Sequence, residues 1–158
     1  MYISNKSMYV STKIEARDTE KGKAIFSLDE IAKDEIILEF EKNFTKVRTR
    51  TSMQIDEEIH QESNNSDAFE NFINHSCEPN SYINFRDLTL RAVQYIPQGR
   101  EINHNYLTHE WELANKFNCK CGSKNCYGFV AGFKYLTKEQ QKQLEPFLSP
   151  FLKKQLME

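Results

Sequence analysis

Apolar and polar residues alternate over residues 9–16, which predicts a strand, and a polar turn follows over 18–22. Ala24, Ile25 and Phe26 make the next short apolar run, and residues 35–40 a third, after the turn-like Ala32-Lys33-Asp34. Regularity is lost over 41–66. A basic patch around Lys46, Arg48 and Arg50 gives way to acidic and Asn-rich sequence ending in Ser63-Asn64-Asn65-Ser66, which predicts an insert with one strand around 53–55. Residues 81–85 and 88–93 predict a hairpin across Arg86-Asp87, and Pro97-Gln98-Gly99-Arg100 a turn into another short strand. The tail changes period. Thr137-Lys138-Glu139-Gln140 spells a capping box, with Leu144, Phe147 and Leu148 at helical spacing behind it. Ser149-Pro150 forms a second N-cap with proline at the first helical position, and Leu152 and Leu156 continue that stripe. These helices are expected to pack against a mainly β domain.

At 158 residues the chain has the length of one domain with one core. No apolar run approaches the roughly 20 residues that span a bilayer, so no membrane association is expected. The start, residues 1–10, lacks the apolar core of a secretory signal, which predicts an intracellular protein. With 21 basic and 23 acidic residues, the net charge of −2 gives no general field for nucleic acid, and no direct nucleic-acid binding is expected.

The four cysteines change this picture. Cys119-Lys120-Cys121-Gly122-Ser123-Lys124-Asn125-Cys126 places three thiols within eight residues. A tetrahedral thiolate site needs four ligands, and Cys77 is the one that remains. Three unrelated thiols beside a buried cysteine is the bland alternative, and two disulfides another, although a bridge between Cys119 and Cys121 would be strained. A chain without an export signal favours metal over disulfides. One structural zinc is therefore the expected occupant.

Three motifs stand in order: Asn74-His75-Ser76-Cys77-Glu78-Pro79-Asn80, then Gly99-Arg100-Glu101-Ile102-Asn103-His104-Asn105-Tyr106, then the cysteine cluster between Phe117 and Phe129. Together they resemble the SET-domain protein-lysine methyltransferases that carry a C-terminal post-SET zinc segment. The resemblance implies a β-clip fold of small curved sheets with a threaded C-terminal pseudoknot. It divides the chain into a SET domain over 9–113, with the insert at about 41–66, a post-SET zinc segment over 114–133 and a helical tail over 134–158. It assigns Cys77 to the metal with Cys119, Cys121 and Cys126.

The activity so implied is methyl transfer from S-adenosylmethionine to a lysine side chain of a protein or peptide, a histone tail or another substrate. The lysine, with a free pKa of roughly 10.4, must lose a proton first. A narrow apolar channel beside a positive sulfonium disfavours the ammonium form. By position in the motif Tyr106 is the catalytic hydroxyl, and Asn74 and His75 contact the cofactor. Lys23, Ala24 and Ile25, in Lys21-Gly22-Lys23-Ala24-Ile25-Phe26, match the cofactor loop, with Ala24 where the second glycine usually stands. Phe117 and Phe129 flank the cysteines and are suited to cover the adenine.

Three positions depart from the family pattern. His104 replaces the aromatic residue that helps set how many methyl groups are added, Asn105 replaces an aspartate, and Phe40 stands where a tyrosine is common. His104 and Phe40 are expected at the substrate channel. These departures motivate a second reading, a zinc-stapled recognition module that has lost turnover. The peptide groove is expected near 40–66, where Asp56-Glu57-Glu58 and Glu62 could attract a basic tail or simply form a solvated loop.

Overall fold

The computed structural model describes residues 8–158; most of the segment read for an export signal lies outside them. In chain order the strands are β1 (Ile14–Thr19), β2 (Gly22–Ser27), β3 (Ile36–Glu39), β4 (Phe44–Thr45), β5 (Met53–Asp56), β6 (Ile59–Gln61), β7 (Asn74–His75), β8 (Ser81–Asn84), β9 (Thr89–Ala92), β10 (Glu101–His104), β11 (Phe117–Asn118) and β12 (Phe129–Val130). Two helices, α1 (Lys138–Gln143) and α2 (Pro150–Met157), close the chain. The strands form four small sheets, ordered β1-β2-β10-β7, β3-β9-β8, β4-β6-β5 and β11-β12. The architecture is the mainly β arrangement with short helices that the sequence implies.

The first strand differs from the 9–16 reading. Residues 9–11 instead lie along β3, where Ser11 N–H donates to the Ile37 carbonyl at 2.9 Å and Glu39 N–H to that of Tyr9 at 2.8 Å. The regular ladder begins at Ile14, paired with Ser27, and ends at Thr19 opposite Gly22. A loop of Glu20 and Lys21 closes this hairpin, and Gly22 takes φ 102°, a left-handed value that glycine tolerates. The insert holds three strands rather than one. They are short, and β5 carries a register shift, so period-two alternation is weak there.

Two cores organise the packing. The first joins Ile25, Ile37, Leu38, Leu90, Ile96 and Ile102, each at most 1% exposed, from the sheets that hold β2 and β10 and β3 and β9. The second gathers Leu107, Val130, Phe133 and Leu148 with Phe151 and Leu152 of α2, and Tyr106 and Phe117 pack against it. The tail thus belongs to the core beneath Tyr106, and Ser149 N–H donates to the Thr108 carbonyl at 2.8 Å. The capping box at Thr137 forms as expected. However, α1 stops before Leu144, because Pro146 cannot continue its hydrogen bonding, and Glu145–Phe147 make a separate 3-10 turn.

Residues 131–134 lie against 110–113. Leu113 N–H donates to the Ala131 carbonyl and Phe133 N–H to that of Glu110, both at 2.8 Å. Gly132 makes this approach possible: its φ is 142°, and a Cβ there would sit 2.4 Å from the Trp111 carbonyl oxygen. Gly132→Ala is expected to cost about 2–4 kcal/mol from strain and overpacking, lowering Tm by roughly 5–15 °C in a thermal melt.

Candidate active site

The parallel pairing of β7 with β10 sets Asn74 beside Asn103 and His75 beside His104. Reciprocal bonds hold this crossing. Asn80 N–H donates to Asn103 Oδ1, and Asn103 N–H donates to Asn80 Oδ1, both at 3.0 Å. After β10 the chain turns at Asn105, whose Oδ1 accepts the Leu107 N–H at 3.0 Å and caps the 3-10 turn Tyr106–Thr108. Asparagine and aspartate serve this cap comparably, so the missing carboxylate leaves the turn intact.

Tyr106 is held at three points. Its N–H donates to His75 Nδ1 at 3.1 Å, its hydroxyl donates to the Ile73 carbonyl at 2.7 Å, and its carbonyl accepts the Glu110 N–H at 3.0 Å. Because the hydroxyl proton is committed to Ile73, the oxygen lone pairs remain for other partners. Burial raises the Tyr106 pKa above the ordinary tyrosine value and keeps the group a neutral phenol. His75 accepts from Tyr106 through Nδ1, so Nε2 carries the proton of the neutral ring and points it at Cys77 Sγ, 3.3 Å away. Burial, followed by the charge of His109, lowers the His75 pKa to about 4.

These groups line a cavity of about 710 Å³ that also touches Phe40, His104, Phe117 and the main segment from Leu113 to Cys121. That volume falls in the roughly 300–1,000 Å³ range of small-molecule sites. The edges of Tyr106 and Phe117 both approach the His75 ring, with centroids 5.3 and 5.6 Å away. Ala24 and Ile25 do not reach the cavity with their side chains, which are 1% and 0% exposed, Ile25 in the first core. The Lys23 ammonium pairs with Asp18 at 3.1 Å, and its carbonyl accepts from Asn74 Nδ2 at 3.5 Å. None of Lys23, Ala24 and Ile25 lines the cavity; from this loop Lys21 does. Phe129 is 59% exposed and lies away from the lining, as does the acidic run 56–58 at the β5–β6 turn. Glu62 is engaged by Thr49 and Thr51 at 2.5–2.9 Å.

Sequence reading assigned no role to several polar groups of the cavity, Glu70, His109, Glu110 and Gln61 among them. Glu70 accepts Gln61 Nε2 at 2.9 Å and the Glu41 N–H at 3.0 Å, and burial raises its pKa despite those bonds. His109, Glu110 and Gln61 also line the wall. The only signal for His109 and Glu110 was their place three and four residues after Tyr106. Nothing local in the sequence pointed to Glu70 or Gln61, which arrive from the insert side.

The four cysteine sulfurs lie within 4.8 Å of one another, and none is in a disulfide. Cys77 Sγ stands 3.7 Å from Cys119 Sγ and 3.9 Å from Cys126 Sγ. Tetrahedral zinc with bonds near 2.3 Å places its sulfurs about 3.8 Å apart, so the spacing and the all-thiolate donor set fit a closed structural zinc. The Tyr127 and Gly128 N–H groups point at Cys77 and Cys126 Sγ, both at 3.4 Å. Such bonds suit thiolates.

Comparison with known proteins agrees with this geometry. The SET domain family matches residues 22–107. The variant-silencing SET domain-containing protein of Plasmodium falciparum is 31% identical over 142 residues, covering 73% of this chain and 6% of that protein. The H3 lysine-9 specific histone-lysine N-methyltransferase KMT1 of Fusarium mangiferae is 35% identical over 77 residues, covering 37% of this chain and 22% of its own length. This chain therefore spans only a small part of those relatives. Among solved structures, KRYPTONITE in complex with mCHG DNA and SAH superposes with a TM-score of 0.63 at 23% identity, over 76% of this chain and 29% of that one. The methyltransferase domain of human SETMAR gives 0.62 at 19% identity, over 78% and 59%.

Purified protein is expected to carry one zinc per chain by elemental mass spectrometry, and Cys77→Ser to lose most of it. Hydrogen exchange in that variant should rise over 117–130, while the β1-β2-β10 ladder stays protected.

Proposed function

This chain belongs to the SET-domain family, and from that membership we propose that it transfers methyl groups to a lysine side chain of a protein or peptide. The observation that carries the reading is Tyr106: a half-buried, neutral phenol whose proton is donated to the Ile73 carbonyl, facing a cavity lined by Asn74, His75 and Phe117. S-adenosylmethionine, when bound, supplies a methyl group on a positive sulfonium. Asn74 and the main chain around His75 would hold the donor, with the Lys23–Ile25 loop behind Asn74, and Phe117 would cover its ring system. The free lone pairs of the Tyr106 oxygen accept weak C–H contacts and orient the amine in line with the methyl. Phe40 and the other apolar walls of the channel desolvate the amine and favour its neutral form.

The zinc segment has a structural part in this scheme. Residues 117–121 line the cavity, so the metal clasps its wall to Cys77 at the end of β7. As a division of the chain, residues 9–113 make the catalytic unit, 114–133 the zinc wall and 134–158 the support beneath Tyr106. We place the substrate strand in the opening beside the insert, where Glu70 lines the wall and offers a carboxylate to a basic peptide. Relatives named for histone H3 lysines, and a neighbouring structure that holds an H3(1-15) peptide, make a histone tail the first substrate to try. A thiolate metal site suits the reducing interior of a cell. The recognition-module alternative loses one of its motives, since Asn105 performs the capping duty of an aspartate.

Incubation with S-adenosylmethionine and a lysine-peptide library that includes H3(1–15), followed by mass spectrometry, is expected to show steps of one or more methyl masses. Tyr106→Phe should lower turnover by about 10²-fold or more, while calorimetry shows S-adenosylhomocysteine affinity changed less than about threefold. Wild-type protein without a mass step on any peptide would refute the reading. Zinc removal by a chelator should abolish the mass steps before the far-UV circular dichroism of the β sheets is lost.

A further inference from the structure

Behind Tyr106 lies a buried chain of three ionisable groups. His104 Nε2 is 3.1 Å from His109 Nε2, and His109 Nδ1 is 2.9 Å from Glu110 Oε1. The residues are 7%, 4% and 5% exposed, and all three line the cavity that holds Tyr106. Glu110 also accepts the Gln54 N–H at 2.8 Å, which anchors its carboxylate from the insert.

Hydrogen-bond logic fixes the tautomers. A carboxylate only accepts, so His109 donates to it through Nδ1–H. In the neutral ring His109 Nε2 is then a lone pair, and His104 must donate to it through Nε2–H. This leaves the lone pair of His104 Nδ1 bare, and that atom is buried without a hydrogen-bond partner among the described residues. The His104 ring centroid lies 5.1 Å from that of Tyr106. Tyr106 itself is unsuited to remove a proton, since its hydroxyl already donates to Ile73 and burial favours the neutral phenol.

We propose that His104, His109 and Glu110 form a proton relay that deprotonates the substrate lysine, with His104 Nδ1 as the accepting atom. The inference rests on the methyltransferase reading above. In the step, an N–H bond of the lysine ammonium breaks and its proton passes to His104 Nδ1. The Nε2–H bond of His104 breaks and that proton passes to His109 Nε2. His109 becomes an imidazolium still bonded through Nδ1–H to the Glu110 carboxylate, and the freed amine lone pair attacks the methyl carbon. One positive charge moves from substrate to His109, where Glu110 balances it. After product release the His109 Nε2 proton returns to His104 Nε2 and the His104 Nδ1 proton leaves to water in the cavity, which restores both tautomers. His104 is a poor resting place for that charge, because burial, His109 and His75 all hold it neutral. Handing the charge on removes the difficulty. His104 is thus the catalytic base, and His109 and Glu110 are positioning residues behind it. A phenylalanine at 104 would offer neither nitrogen.

Other ionisable groups face this chain and enter its pH response: His75 on β7, His60 on β6 with Arg48 and Glu62 around it, Arg50 and Glu101 toward Tyr106, and Glu70 across the cavity. The test is therefore comparative. Turnover and KM of wild type, Glu110→Gln and His109→Gln are measured from pH 7 to 10 on the peptide most rapidly methylated in the library. Both variants are expected to lose about 10- to 100-fold in kcat at pH 7 to 8 with KM little changed. The deficit should shrink to about threefold near pH 10, as bulk lysine nears its pKa of roughly 10.4. A deficit equal at every pH, or none, overturns the relay and leaves the methyltransferase reading standing. Wild type without turnover on any peptide overturns both. Should the variants fail to fold, nitrogen-15 NMR of the wild-type histidines decides: His109 protonated at Nδ1 and His104 at Nε2 supports the relay, and the reverse assignment overturns it.

Discussion

The two-residue parallel ladder between β7 and β10 is the constraint on which the rest depends. Parallel neighbours need a long connection, and here the β8–β9 hairpin fills it. The ladder is too short to hold by its own bonds, so side chains complete it. Asn80 and Asn103 bind reciprocally, Asn80 Nδ2 donates to the Glu101 carbonyl at 2.7 Å, and Ser81 Oγ donates to that of Asn103 at 2.6 Å. The proline-asparagine end of the first motif is explained by this staple rather than by contact with a ligand.

From that crossing the site radiates in two directions. Through His75, the Tyr106 main chain is tied to Cys77 and hence to the zinc segment: one ring bonds the backbone N–H with one nitrogen and the sulfur with the other. Through Tyr106 and the turn after it, the crossing is tied to Glu110, the insert and the second core. The insert is stitched to the same stretch by Gln54, which receives the Trp111 N–H at 2.9 Å, and by Arg48, which donates to the Glu112 carbonyl at 2.8 Å. Tertiary bonds of this kind hold the tyrosine with little regular secondary structure around it.

The cavity wall is accordingly composite. One side is built from β7 and the zinc segment, a more polar side from the turn after Tyr106, and its rim from the insert. Exposed features that looked suggestive along the chain, the acidic run at 56–58 and Phe129, fall outside it. The carboxylates that shape the wall are the half-buried Glu70, whose two oxygens accept from Gln61 and the Glu41 N–H, and the buried Glu110, whose Oε1 accepts from Gln54 and His109. These bonds matter because an unmatched buried charge is costly.

Much of this was legible in the chain. The cysteine spacing called for a fourth thiol, and Cys77 was the one remaining; the hairpin at 81–93, the capping box at Thr137 and the cap at Ser149 are local chemistry, read from neighbours in sequence. The order of the three motifs carried the family and its fold. Local pattern could not reveal the three strands of the insert, whose ladders are too short to impose a period, or the role of the tail beneath Tyr106, which depends on where α2 docks. Nor could it bring Gln54 and Glu110 together across 56 residues, or set His104 against His109. Bond-forming residue types are written in the sequence; which lone pair is left bare is decided only when burial and partners are fixed together by the tertiary structure.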